Sequence, residues 1–287
     1  MSKDHLQTMM INSAPPELIK AMVLQALEED IQTGDITAEL IPSHEITCAN
    51  VMTRENMVLC GKQWVDEAFH QVNPKIKIHW NFKDGDEISA NTILFTLEGN
   101  ARSLLTAERT ALNFLQTLSA TATQTKSYVD LISHTETKLL DTRKTIPNFR
   151  IAQKYAVRCG GGMNHRIGLF DAFLIKENHI KAAGGINKAI TIAHDKYPKK
   201  MVEVEVESLS ELNLAIDARA DVIMLDNFSL DMLEAAVKIN NGNAQIEASG
   251  NVSYQSIAAI AETGVDFISV GSITKHIQAI DLSMRFI

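Results

Sequence analysis

The chain lacks the hallmarks of several protein classes. Among its 287 residues there are only three cysteines, Cys48, Cys60 and Cys159, and no Cys-x-x-Cys pair. A disulfide scaffold and a cysteine zinc site are thereby excluded, and a reducing compartment is expected. No apolar run reaches the length of a membrane span. The opening, MSKDHLQTMMINSAPPELIK, has no apolar centre and no small-residue cleavage site, so a cytoplasmic, soluble protein is expected. Positive charge is also scarce: 27 Lys and Arg stand against 35 Asp and Glu, a formal net charge of −8. That balance speaks against a broad nucleic-acid-binding face. There is no Walker-type loop, no Gly-x-Gly-x-x-Gly after the first strand, no His-x-x-x-His spacing and no Gly-x-Ser-x-Gly elbow around Ser249.

What is present divides into two patterns. Ser13 and Pro15-Pro16 announce a helix carrying Ile19, Met22, Val23, Ala26 and Leu27 at helical spacing, broken by Gly34-Asp35. Short strand-like pieces follow at 49–53, 57–60, 75–80 and 92–98, with a turn at Lys83-Asp84-Gly85-Asp86. A long helical stretch, roughly 103–133 with a break inside it, carries Leu104, Ala107, Ala111, Leu115 and Leu118. Beyond it the rhythm changes. Apolar strands at 137–140, 172–175, 201–206, 221–225, 244–248 and 266–270 alternate with helical patterns. The later ones recur about every 22 residues, the length of a strand-plus-helix unit. Repeated units of this kind make a parallel sheet, open or closed into a barrel. Polar groups follow nearly every strand, not one switch point, which favours a barrel, incomplete at six strands.

Functional side chains of such a barrel gather at the carboxyl ends of its strands. Those ends read Asp141-Thr142-Arg143-Lys144, Lys176-Glu177-Asn178-His179, Glu203/Glu205/Glu207, Asp226-Asn227, Ser249-Gly250-Asn251 and Gly271-Ser272. In MVEVEVE, 201–207, alternation puts three valines on one face and three glutamates on the other. A solvated edge strand would look the same, but in a helix-covered sheet the glutamates point into the barrel and need cations or a ligand. Arg143, Lys144, Arg158, Arg166 and Lys176 form a basic set in an acidic chain, suited to carboxylates and phosphates. The Gly160-Gly161-Gly162 run before Asn164-His165-Arg166 reads as an anion site, although a hinge would also use it. Glu205 and Asp226 suit hydrated Mg²⁺ or ribose hydroxyls. His179 could equally be a satisfied loop histidine.

These residues closely resemble the quinolinate phosphoribosyltransferase family. The likeness is carried by Asp141-Thr142-Arg143-Lys144-Thr145-Ile146-Pro147, Lys154-Tyr155-Ala156-Val157-Arg158, Gly160 to Arg166 and Leu174 to Ile180. It extends to Glu203 to Val206, Leu225 to Phe228, Glu247 to Asn251, Val270-Gly271, Gly34 to Thr37 and Glu108 to Leu115, nearly the whole chain. It implies an α/β fold: an N-terminal α/β sandwich domain over 1–115, an open α/β barrel over 116–275, and a tail 276–287 able to pack back on the first domain. It implies conversion of quinolinate and phosphoribosyl pyrophosphate to nicotinate mononucleotide, CO₂ and pyrophosphate in NAD biosynthesis, with Mg²⁺, by a homodimer or a multiple of one. By the same resemblance Thr142, Arg143, Lys144, His165, Arg166 and Lys176 would bind substrate anions, and Glu205 and Asp226 would face ribose and Mg²⁺, directly or through water. Lys144, Glu205 and Asp226 would be catalytic. Ser249, Gly250, Asn251, Gly271, Ser272 and Ile273 would receive a phosphate, and Arg109 would reach into the neighbouring subunit's site. Asn148 and Ser272 depart from the glycine and alanine frequent in the family, which touches loop geometry. Two rivals stand beside this reading: a phosphoribosyltransferase for nicotinate or a similar acid, and a non-catalytic anion-binding module.

Overall fold

The computed structural model describes residues 10–287, which form two compact units. The first comprises Ile11–Lys126, Ile151–Gly161 and His276–Ile287. Helix α1, Pro16–Ile31, starts on Pro16 at its first position and buries Ile19, Val23 and Leu27. The strands β1 (Ile46–Thr53), β3 (Lys77–Trp80), β5 (Ile93–Asn100) and the terminal β12 (Leu282–Phe286) form an antiparallel sheet in the order β12-β1-β5-β3. A short pair, β2 (Met57–Val58) with β4 (Glu87–Ile88), lies outside it.

Periodicity alone does not reveal α2, Lys62–Val72. Its start is fixed from a distance: Asp84 Oδ1 accepts the amides of Gly61 at 3.1 Å and Lys62 at 3.2 Å. The residue that reads as part of a turn is thus also the cap of a helix 22 residues earlier. Helix α3, Ala101–Leu131, runs through the expected break without one. Leu104, Ala107, Ala111, Leu115 and Leu118 are all fully buried along its stripe. The compact units divide within this helix, after Lys126, whereas the sequence places the change at 115.

The second unit, Ser127–Arg150 with Gly162–Lys275, is a six-stranded parallel sheet. Its strands are β6 (Lys138–Leu140), β7 (Phe173–Ile175), β8 (Val202–Val206), β9 (Val222–Asp226), β10 (Gln245–Ser249) and β11 (Phe267–Ser269), in the order β6-β11-β10-β9-β8-β7. All six strands expected from the sequence are present. Helices α5 (Glu177–Ala183), α6 (Ile186–Lys196), α7 (Leu209–Asp217), α8 (Leu230–Asn240) and α9 (Ile257–Glu262) connect them, and a short α10 (Ser272–Lys275) follows β11. Ser208 and Ser229 cap α7 and α8 through their hydroxyls. Helix α4 (Arg150–Cys159) lies between β6 and β7 in the chain.

One face of the sheet carries Leu140, Val222 and Phe267, clustered with Ala172 and Met201. Leu140 belongs to one edge strand and Ala172 precedes the other, so the sheet curls until its two edges share a core. This is an open α/β barrel. Register fixes what else faces inward: Glu203 pairs with Leu174 and Val222, and Glu247 with Met224 and Phe267. Val202, Val204 and Val206 are fully buried on the opposite face. Among the described residues no helix is long and apolar enough to cross a membrane.

Candidate active site

Following the sheet from β7 to β6, the carboxyl ends of the strands present Lys176, then Glu205 and Asp226, then Ser249-Gly250-Asn251, Gly271-Ser272 and finally Thr142-Arg143-Lys144. Parallel strands bring all these groups to one rim. Lys176 Nζ pairs with Glu205 Oε2 across neighbouring strands, so the inward glutamate does find a cation. Asp226 Oδ2 accepts the side chain of Asn227 at 2.7 Å. Glu207 lies beyond the end of β8 and is exposed.

Arg143 and Arg166 are the basic centre of the mouth. Burial, and after it the charge of Arg143, holds the Arg166 guanidinium below its ordinary pKa, so the two cations feel each other. Arg166 Nη1 donates to the Ala172 carbonyl at 3.3 Å. The Nε atoms of both arginines and the Ser272 hydroxyl are buried without a hydrogen-bond partner. Buried donors of this kind need acceptors. Three unmet donors at one rim suit an anion.

Asn227, Gly250 and Asn251 all adopt left-handed backbone, with φ of 57°, 96° and 49°. Asn227 N donates to the Ser249 carbonyl at 2.9 Å, and Asn251 Nδ2 to Asn227 Oδ1 at 3.2 Å. These contacts fold the Ser249-Gly250-Asn251 turn back against Asn227. The triple glycine has another use. A Cβ on Gly160 would lie 2.3 Å from the Ala122 carbonyl oxygen and 2.7 Å from Thr125 Cβ, so that glycine serves close packing of α4 on α3 and not an anion. His179 is a satisfied histidine in the first turn of α5 and not a loop residue: its Nδ1 accepts the Lys176 amide at 3.0 Å, capping that helix. Arg158 and the exposed Arg109 belong to the first unit.

Beneath the rim lies a cluster that sequence reasoning did not assemble. His165 Nε2 is 2.9 Å from Glu203 Oε2 and 3.6 Å from Glu247 Oε2, all three residues being buried. Burial opposes a charged ring, and the two carboxylates pull the other way, raising its pKa. The ring's other nitrogen sets a limit, because Nδ1 accepts the Arg166 amide at 2.8 Å and a second proton there would face an N–H. We therefore place the ring proton on Nε2 and the acid proton of the cluster on the carboxyl pair. Burial and the neighbouring Glu203 push Glu247 up to about 8. The sequence signals for Glu247 are its place in the Glu247 to Asn251 segment of the resemblance and its position two residues before Ser249, on the same face of a strand.

A stability test follows. The folded chain holds a proton on Glu247 up to about pH 8, whereas the unfolded carboxyl loses it near 4.5. Stability from this group is complete below about pH 4.5 and is lost as pH rises toward 8. Glu247→Gln removes that dependence. Urea midpoints of parent and variant should converge near about pH 5 and diverge by about pH 8, the parent losing on the order of a few kcal/mol. Parallel curves across this range would contradict the assignment.

An open α/β barrel with converging cations and carboxylates at its mouth is the build of an enzyme for a multiply anionic substrate. Residues 35–119 match the N-terminal domain of quinolinate phosphoribosyl transferase, and residues 121–285 match its C-terminal domain. The chain belongs to the quinolinate phosphoribosyltransferase family. It is 40% identical over 274 residues to a probable nicotinate-nucleotide pyrophosphorylase [carboxylating] of Synechocystis, covering 94% of this chain and 93% of the relative. Identity to the chloroplastic nicotinate-nucleotide pyrophosphorylase [carboxylating] of Arabidopsis thaliana is 38%, over 95% of this chain and 84% of that one. The solved nicotinate-nucleotide pyrophosphorylase of Francisella tularensis is 57% identical with a TM-score of 0.95, covering 97% of this chain and 99% of that one.

Proposed function

We propose that this chain transfers the phosphoribosyl group of phosphoribosyl pyrophosphate to the ring nitrogen of quinolinate, releasing pyrophosphate and CO₂ and forming nicotinate mononucleotide for NAD synthesis. The observation that carries this reading is the pairing of the half-buried Arg143 with the buried Arg166, their buried Nε donors both unmet at the rim. Two guanidiniums side by side call for a ligand with more than one negative charge, as a pyridine diacid has. Lys144 and Lys176 extend the basic wall around it, and Thr142 adds a hydroxyl.

Displacement at the anomeric carbon develops positive charge on the sugar, and Glu205 and Asp226 on adjacent strands suit its stabilisation. These two offer carboxylate oxygens with no nitrogen or sulfur donor between them, which fits Mg²⁺. When bound there, Mg²⁺ would neutralise the departing pyrophosphate. Ser249, Gly250, Asn251 and the Gly271-Ser272-Ile273 segment offer backbone donors for phosphate. Once the ring nitrogen is alkylated it is cationic, its charge stabilises the electron pair left on the adjacent ring carbon as the C–C bond breaks and CO₂ leaves, and that carbon then takes a proton from water. The protein orients and desolvates that carboxylate, and no general base is needed.

We place the reaction in the cytoplasm, carried out by a homodimer in which Arg109 of one copy completes the basic wall of the other. Exposed Leu169 and Phe170 on the second unit, and Ile36 and Leu40 on the first, give apolar surface for such association.

The test is release of labelled CO₂ from quinolinate. With phosphoribosyl pyrophosphate and Mg²⁺, CO₂ and nicotinate mononucleotide should form in equal amounts, and nicotinate should yield no product. Turnover of nicotinate alone would establish the rival transferase. Binding of quinolinate without turnover would establish an anion-binding module.

A further inference from the structure

The second unit buries more acid than the roles above use. Asp141, Glu203 and Glu247 are each no more than 1% exposed. Glu203 and Glu247 sit two residues before the rim residues Glu205 and Ser249 on their strands and face the barrel interior. Carboxyl groups so placed are costly unless they do something for the fold or the site.

What Glu203 and Glu247 surround is the His165 ring. On one side Nε2 meets Glu203 at 2.9 Å and Glu247 at 3.6 Å, and on the other Nδ1 accepts the Arg166 amide at 2.8 Å. Asp141 fastens the same segment, its Oδ1 accepting the His165 amide at 2.8 Å and its Oδ2 the Asn164 side chain at 2.7 Å. The ring is therefore a strut between a carboxyl pair and the backbone of an anion-binding arginine. The ligand atoms of His165, Glu203 and Glu247 lie within 4.8 Å of one another, as in a metal site. The Nε2 proton and the proton held on the carboxyl pair would both have to leave before these atoms could ligate a metal ion.

We infer that Glu203 and Glu247 are positioning residues for Arg166: their carboxyl oxygens face Nε2 of His165 at ion-pair distance, orient the ring so that Nδ1 meets the Arg166 amide, and so hold the guanidinium where a substrate carboxylate docks. The inference rests on the diacid reading of the mouth given above. It predicts that the shape and acceptor of the side chain matter more than its charge.

The test compares Glu203→Leu with Glu203→Gln in the full chain. The leucine variant has no acceptor, and its KM for quinolinate should rise roughly tenfold to a hundredfold, while KM for phosphoribosyl pyrophosphate stays within about twofold. Glutamine keeps an acceptor oxygen and should stay within about threefold of the parent on both substrates. In an Arg166→Ala background Glu203→Leu should add less than about a twofold further effect, because its route of action is gone. Nitrogen NMR of the histidine-labelled chain, assigned with His165→Asn, should show a bare Nδ1 and a protonated Nε2 at His165.

A folded leucine variant with the parent's quinolinate KM overturns the inference. So does a glutamine variant as impaired as leucine, an additive effect in the Arg166→Ala background, or a protonated Nδ1. Should Glu203→Leu not fold, Glu247→Leu takes its place and the NMR result decides. A parent chain that does not turn over quinolinate would instead sink the functional reading, so the two failures are distinguishable.

Discussion

Lys144→Ala should lose about a thousandfold in kcat/KM for quinolinate turnover and keep the parent's stability to within about 0.5 kcal/mol. The two halves of that expectation come from the same geometry. The backbone of Lys144 is held by bonds that do not involve its side chain: its amide donates to Thr142 Oγ1 at 3.0 Å, and Thr274 Oγ1 donates to its carbonyl at 2.8 Å. The residue is exposed at the rim, with its aliphatic stem against Gly271. Truncation therefore leaves no cavity and no orphaned partner. What disappears is a cation at the place where phosphate and carboxylate charge must be balanced during transfer. Calorimetry and steady-state kinetics on one preparation check both halves, and near-parental activity would sink the basic wall. A second experiment uses the inactive variant. If Arg109 completes the neighbouring site, mixing Lys144→Ala with Arg109→Ala should restore about a quarter of parental activity, because half the dimers are mixed and each carries one intact site. No recovery would remove Arg109 from the shared site.

Much of the barrel could be read from the chain because its information is local. Each parallel strand is a short apolar run followed by a polar residue, and MVEVEVE states by alternation which groups face the interior. The pairing of Lys176 with Glu205 follows from the need to compensate a buried carboxylate. What could not be read depends on contacts between distant segments. His165 reaches Glu203 and Glu247 from a stretch that joins the sheet by one bridge, Leu140 to Met163, and has no periodicity to announce its direction. Helix α2 owes its start to Asp84 and not to a local cap. Gly160 looks like half of an anion loop until Ala122 and Thr125 are seen against it. A glycine run records that backbone must approach something closely, and sequence does not say whether that is a ligand or a helix.

Gly250→Ala should raise KM for phosphoribosyl pyrophosphate at least tenfold, roughly, and lower kcat with it. Gly250 has φ of +96°, and a Cβ there would lie 2.2 Å from Asn227 Oδ1 and 2.9 Å from the Asn227 amide nitrogen. Asn227 cannot move alone. Its amide is tied to Ser249, its Nδ2 to Asp226 and its Oδ1 to Asn251, so displacing it disturbs a strand-end carboxylate and the whole left-handed turn together. Gly242→Ala separates the clash from the backbone penalty. That glycine also has positive φ, +78°, but nothing lies within 4 Å of its would-be Cβ. It should cost about 1–2 kcal/mol of stability and leave both KM values unchanged. If the two alanines behaved alike, the turn after β10 would matter only as backbone. If Gly250→Ala alone weakens the sugar phosphate substrate while quinolinate affinity holds, the turn is where its phosphate is received.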